Sequence, residues 1–251
     1  MKYWALDRAA SAIAGDGARM ERDYWAEWRV HLGDMPDDAL IGSRAGERAV
    51  RRLEPEKLTT RKASVVYEPR VATSLVGHLL GAVNGFSIAR KTSFLRSRMG
   101  EKIFADGIRI SDDPFRLRGI ASRPFDGEGV AGEAFDLIED GVLRRWLLDS
   151  ATARELGLQT NGRARRGIGS PGPSTTNVTL HAGTRTREEL MRDIGEGLLV
   201  TELIGHGADI VTGDYSRGAA GFWIENGEIA YPVSEITIAG KLDDMFARMM
   251  V

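Results

Sequence analysis

Asn226-Gly227 sits between two stretches in which apolar and polar residues alternate, "AAGFWIE" and "EIAYPVS". Asn and Gly both accept the positive φ that a two-residue type I′ turn demands, so the chain is predicted to double back here as a tight hairpin. That register pairs Ile224 with Ile229 and Phe222 with Tyr231. With Val233, these residues form one apolar face. Trp223, Glu225, Glu228 and Ala230 share the other face, where two adjacent glutamates are tolerable only in solvent. "EITIAG" then predicts another strand.

The same turn chemistry recurs. Asp140-Gly141 divides "EAFDLIEDGVLRRWLLDS" into a second hairpin, with expected pairs Ile138/Leu143, Asp136/Arg145 and Phe135/Trp146. Asp16-Gly17 marks a turn between Ser11–Ala14 and Met20–Tyr24. Asp106-Gly107 and the run Asp112 to Pro114 read as further turns. "KASVVYEP", "NVTLHAG" and "LLVTELI" read as short strands. The chain has 30 glycines in 251 residues, a surplus that fits many turns and hence many strands.

Helices fill the gaps. Over 36–53, Ala39, Ile41, Ala45, Ala49 and Leu53 fall on one face, with arginines elsewhere. Over 72–85, Ala72, Leu75, Val76, Leu79 and Val83 follow helical spacing, and Asn84-Gly85 ends the run. The polar stretch 91–100 is read as a second helix. Asp149 or Ser150 caps a short helix that ends at Gly157. Thr186 and Glu189 form a capping box for a helix that breaks near Gly195 to Gly197. "KLDDMFARMM" places Leu242, Met245, Phe246 and Met249 on one face. Residues 157–176 show no periodicity and read as a long loop, with Arg163, Arg165 and Arg166 as a solvated basic run. The expected fold class is α+β: a β-rich, mostly antiparallel, barrel- or sandwich-like domain with a few packed helices. A boundary is expected near Pro69.

Composition narrows the function classes. There are no cysteines, which excludes disulfides and thiolate metal sites and fits a reducing compartment. The net charge of −2 gives no field favouring nucleic acid or an anionic membrane. Six of the 34 basic residues are lysines, and the three loop arginines lack interleaved aromatics, a weak nucleic-acid signal. No stretch approaches the roughly 20 apolar residues of a membrane helix. Asp7 and Arg8 interrupt what would be a signal peptide's apolar region.

Zinc hydrolysis on a helix needs two imidazoles one turn apart and a glutamate to activate water. The four histidines, His31, His78, His181 and His206, are far apart in sequence, and no HExxH or HExxxH occurs. Ser216 lies in "GDYSRG", without the GxSxG elbow of a serine nucleophile. Asp214, Tyr215 and Arg217 beside it could bind a peptide backbone or a carboxylate. Alternatively, Asp214 and Arg217 form an internal ion pair bracing a corner lined by Gly213, Gly218 and Gly221. His78 either faces a cleft or is hydrogen-bonded within a packed helix pair. No metal or cofactor is expected from these residues.

"ERDYW", "PRVATSLVGHLLGAVNG", "RKTSFLRSRMGEKIF", "RPFDGEGVAGE", "LVTELIGHG", "VTGDYSRGAAGFWIENGEIAYPVSEITIAG" and "DDMF" follow one another in this order. Together they resemble the PmbA (TldE) branch of the TldD/PmbA family, from about residue 20 to 250. The resemblance implies a cytoplasmic protein acting in peptide proteolysis. It also implies that the TldD branch carries zinc on an HExxxH helix. The PmbA branch lacks that motif and pairs with TldD or with itself to enclose a cavity for unfolded peptide. If "TSLVGH" occupies the motif position, Thr73 replaces the first histidine and Ser74 the glutamate, leaving His78. His78, Asp214, Tyr215, Ser216 and Arg217 are then the candidate cavity lining. The expected partners are an unfolded peptide and a zinc-bearing TldD-like protein or a second copy, with no nucleic acid and no membrane. A standalone peptide-binding module is the alternative. By this resemblance 1–69 is the remnant of an N-terminal domain with a middle helical segment, 70–251 is the C-terminal domain, and strands beyond the last helix are missing.

Overall fold

The computed structural model describes residues 5–251. In chain order, β1 (Leu6–Ala14) and β2 (Glu21–Arg29) form a hairpin, followed by α1 (Asp38–Arg51), β3 (Ser64–Tyr67), α2 (Pro69–Ala82) and α3 (Gly85–Ala89). Next come β4 (Ile110–Asp113), β5 (Phe135–Glu139), β6 (Val142–Leu143), α4 (Ser150–Glu155), β7 (Ala164–Arg165), β8 (Gly172–Pro173) and β9 (Asn177–Leu180). The chain closes with α5 (Arg187–Ile194), β10 (Gly197–Ile204), β11 (Asp214–Glu225), β12 (Glu228–Lys241) and α6 (Leu242–Ala247). The class is mixed α+β. The strands form four open sheets, ordered β1-β2, β12-β11-β10-β3, β6-β5-β4-β9 and β7-β8; among the described residues none closes into a barrel.

The residues cluster into two compact units. One holds 5–71, Thr186–Ile204 and Gly218–Thr237; the other holds Ala72–Arg185, Gly205–Arg217 and Ile238–Val251.

In the first unit, β1 and β2 pair from Leu6↔Arg29 to Ala14↔Glu21. Their connection is longer than a two-residue turn, because a short 3-10 turn at Gly17–Arg19 fills it. Helix α1 starts where Asp37 accepts a hydrogen bond from Ala39 N, and it buries Ile41, Ala45 and Ala49. Small residues on that face allow close packing. Strand β10 runs parallel to β3 and antiparallel to β11. Met191, Leu199, Phe222 and Ile224 form a core cluster with Val66, Ile194 and Ile229 against it. Trp223 is also buried, with the Arg61 guanidinium 5.1 Å from its ring centroid. Both faces of β11 are therefore covered here, although alternation had assigned Trp223 to the glutamate face. Gly221 is required by its neighbour: a Cβ there would collide with the Leu199 carbonyl.

"EITIAG" is not a separate strand. It is the second half of β12, which runs unbroken through Glu235, a residue at φ 54. One left-handed residue bends a strand without ending it.

In the second unit, the β5–β6 hairpin pairs Ile138↔Leu143 and Glu139↔Val142 and goes no further. The expected Asp136/Arg145 pair does not form. Asp136 accepts from Arg109 Nε at 3.0 and 3.1 Å. Beyond Leu143 one backbone bond to β5 remains, from Arg144 N to Leu137 O at 2.9 Å, and Leu147 exchanges hydrogen bonds with Val83 and Gly85 instead. Asn84-Gly85 does end α2, and Asn84 also caps α3 by accepting from Phe86 N. Residues 91–100 are turns rather than a helix. Ser93 Oγ donates to Ala82 O and accepts from Leu95 N, and Phe94 N donates to Ile210 O, so tertiary hydrogen bonds displace the helical ones. The capping box at Thr186 and Glu189 is present as expected.

The loop 157–176 is not a solvated basic run throughout. Arg163 is fully buried and forms a 2.8 Å ion pair with Asp112, itself fully buried in β4 rather than in a turn. Arg163 also donates to the carbonyls of Asn161, Asp112 and Glu133. Asp112 accepts from Thr176 N at 2.9 Å and from its hydroxyl. The Phe135 ring lies 4.2 Å below the guanidinium. A buried pair so fully hydrogen-bonded offsets its desolvation, and it ties the irregular loop to β4.

Candidate functional site

His78 lies on α2 and is half-buried. Its imidazole meets the Tyr215 ring edge-on, with centroids 5.8 Å apart. His78 Nε2 is buried and has no hydrogen-bond partner among the described residues. Burial, followed by the nearby Arg217 charge, lowers the His78 pKa below its ordinary value. A neutral imidazole beside a cation is the consequence.

The other candidates sit at the start of β11. Alternation along a strand separates them. Tyr215 is buried and Arg217 half-buried, whereas Asp214 and Ser216 are exposed. The structure thus gathers His78, Tyr215 and Arg217 and leaves Asp214 and Ser216 on the opposite face. The alternative Asp214/Arg217 ion pair is absent. Asp214 binds Lys241 Nζ at 2.7 Å and accepts from Thr212 Oγ1 at 2.6 Å, and those two donors lower its pKa. Gly213 adopts φ 76, with the Phe94 ring in van der Waals contact at the position of a Cβ. His206 is exposed in the turn after β10. His181 Nε2 shares a 2.8 Å hydrogen bond with Ser111 Oγ.

Two cavities lie elsewhere. One, of about 810 Å3, is in the second unit and is lined by Met99, Glu133, Arg144, Arg145, Trp146 and Asn161 among others. The other, of about 230 Å3, is in the first unit between α1 and the β10–β11 sheet. Sequence reasoning missed the second. Its signal was present as Arg44, Arg48 and Arg51, one helical stripe, which reads in sequence as a solvated face.

Among the described residues, no group of three or more His, Asp or Glu side chains could hold a metal ion. No described helix is long and apolar enough to cross a membrane.

A mixed α+β chain with open, mostly antiparallel sheets defines only a broad class. The profile of the PmbA/TldA metallopeptidase C-terminal domain matches residues 60–251. The chain is 45% identical to metalloprotease PmbA of Escherichia coli O157:H7 over 242 residues, which is 96% of this chain and 52% of that protein. It is 40% identical to the metalloprotease PmbA homolog of Haemophilus influenzae, again over 96% of this chain and 52% of the relative. Among solved structures, a candidate modulator of DNA gyrase from Thermotoga maritima superposes with a TM-score of 0.89 at 30% identity, covering 98% of this chain and 56% of the other. TldE from Thermococcus kodakarensis shares the fold, with a TM-score of 0.87 at 24% identity over 97% of this chain and 56% of that one. The chain belongs to the PmbA/TldD metallopeptidase family, within its PmbA/TldE-type members. It spans about half the length of the curated relatives it matches.

Proposed function

We propose that this chain is the non-hydrolytic, PmbA-type component of a TldD/PmbA proteolytic system, helping to enclose and present unfolded peptide. The observation that supports this most is the donor set on α2. The resemblance places Thr73, Ser74 and His78 at the zinc-motif positions, so one imidazole remains where two and a glutamate are needed. That imidazole lies beside the Arg217 guanidinium, a fixed positive charge that opposes a divalent cation. These residues do not fit a zinc ion.

His78, Tyr215 and Arg217 then act as wall. Arg217 is suited to a peptide carboxylate or carbonyl, and the buried His78 Nε2 has an unused hydrogen-bonding site. Asp214 and Ser216 present polar groups on the opposite face of β11. The partner on this reading is a zinc-bearing TldD-like protein or a second copy, the setting is cytoplasmic, and residues 70–251 act as the C-terminal peptide-handling domain.

The test is cleavage of an unfolded peptide by this chain alone and mixed with a zinc-bearing TldD homologue, each with and without chelator. The expected result is activity in the mixture that is chelator-sensitive and exceeds that of the homologue alone. Chelator-sensitive cleavage by this chain alone would overturn the reading. No enhancement and no association with the homologue would instead favour a standalone peptide-binding module.

A further inference from the structure

The cavity of about 230 Å3 in the first unit has a construction that the proteolytic reading does not use. Its floor is apolar: Leu199, Phe222 and Ile229. Its wall is the α1 stripe of Arg44, Arg48 and Arg51, spaced so that all three share one helix face. Two aromatic rings lie against all three guanidinium groups. Arg44 and Arg48 each lie 4.7 Å from the Trp25 centroid, and Arg51 lies 5.1 Å from that of Phe222.

The acids around the cavity are mostly committed. Glu68 receives Arg48 through two hydrogen bonds, at 3.0 and 2.7 Å, and Arg70 at 2.8 Å. Asp23 receives Arg70 through two more, at 2.6 and 2.9 Å. Arg187 pairs with Glu188 at 2.7 Å. Arg44 and Arg51 hold ring contacts and, among the described residues, no carboxylate within ion-pair distance, while Glu47 is exposed. One positive charge is left over for a ligand.

A second observation points the same way. Strand β10 slips register between Val200↔Gly221 and Glu202↔Ala220, so Thr201 is the extra residue of a β-bulge. Bulges re-aim side chains out of the ladder. Thr201 is 6% exposed, lines this cavity, and its hydroxyl is buried without a hydrogen-bond partner among the described residues. A buried hydroxyl left unmatched is disfavoured unless something else satisfies it.

We propose that this cavity binds a monocarboxylate carrying a compact apolar group, with Arg44 and Arg51 taking the charge, Thr201 Oγ1 donating to a carboxylate oxygen, and Leu199, Phe222 and Ile229 receiving the apolar body. A peptide's C-terminal residue and a free acyl amino acid share this chemistry. Every lining residue named here is this chain's own.

The test is binding of N-acetyl-leucine to the purified chain, followed by calorimetry and by the shift in melting temperature. N-acetyl-leucinamide removes the charge, acetate removes the apolar body, and a pentapeptide ending in leucine tests the peptide source. Saturable binding of N-acetyl-leucine is expected, with at least about tenfold weaker binding of both the amide and acetate. Thr201→Val, which keeps the shape and removes an unsatisfied hydroxyl, is expected to fold normally and to weaken binding about tenfold. Arg51→Gln, checked for folding by its unliganded melting curve, is expected to do the same. Pentapeptide binding assigns the site to peptide C-termini, and its exclusion assigns it to free acids. No binding of N-acetyl-leucine, equal binding of the amide or of acetate, or full affinity in Thr201→Val would each overturn the proposal.

Discussion

The His78 imidazole and the Tyr215 ring meet edge to face, their planes at 72°. Such T-shaped contacts add roughly 0.5–1.5 kcal/mol beyond burial, and here the contact fixes an imidazole whose Nε2 is unpartnered. Burial first, then the Arg217 charge, disfavours its protonated form. The unfolded chain therefore takes up this proton at higher pH than the folded chain does. The resulting contribution to stability is complete above the ordinary histidine value of 6.5 and is lost as pH falls below it. An NMR titration of the His78 ring should give a midpoint below 6.5, and Arg217→Gln should raise it. A wild-type midpoint at or above the ordinary value would contradict the arrangement.

Asp23 titrates in the opposite sense. Burial alone would raise its pKa, but hydrogen bonds from Arg70 and Tyr24 N, with the charges of Arg70 and Arg52, outweigh burial and lower it. Its contribution is complete above the ordinary value of 3.8 and disappears as pH falls from there toward the lower folded value. Urea midpoints followed from about pH 6 down to about pH 2.5 should fall less for Asp23→Asn than for the wild type. Parallel curves would mean that the Arg70 pair contributes nothing.

Breaking the Arg163–Asp112 pair leaves one charge buried without its partner. Arg163→Met is expected to destabilise the chain by about 3–5 kcal/mol, read from urea denaturation. Asp112→Asn combined with Arg163→Met should cost less than the sum of the two single substitutions, since the charge stranded by either one is gone. Simple additivity would show that the two residues act independently.

The turn at Asn226-Gly227 allows a graded test. Gly227 has φ 80, and a Cβ there would press on Arg192 Cα. Gly227→Ala should lower stability by at least about 1–2 kcal/mol. Asn226 sits at φ 52, a region Asn tolerates better than Ala, so Asn226→Ala should cost less and Asn226→Gly should stay within about 0.5 kcal/mol. Melting curves that reverse this order would mean that the turn is not what holds β11 and β12 together.

Much of the fold was legible along the chain because its determinants are local. Asn226-Gly227, Asp140-Gly141, the Asp149 and Thr186 caps and the amphipathic face of α1 each depend on residues within a turn or two of one another. Their backbone preferences act whatever lies across the molecule. Local patterning failed where a distant group supplied a stronger interaction. Polar residues 91–100 look helical until Ala82 O and Ile210 O compete for their donors.

The candidate site was legible only by half. Sequence motifs singled out His78 and the Asp214–Arg217 run, but strand alternation divides that run, sending Tyr215 and Arg217 toward His78 and Asp214 toward Lys241. The sequence by itself determined the hairpins, the caps, the family and the absence of an HExxxH motif. Only the tertiary structure decided that Arg163 is buried against an aspartate 51 positions away, and that Thr201, at a β-bulge, lines the same cavity as three arginines of α1. Burial and charge pairing are settled by which surfaces meet in space, and one residue's neighbours in sequence do not specify its neighbours in the core.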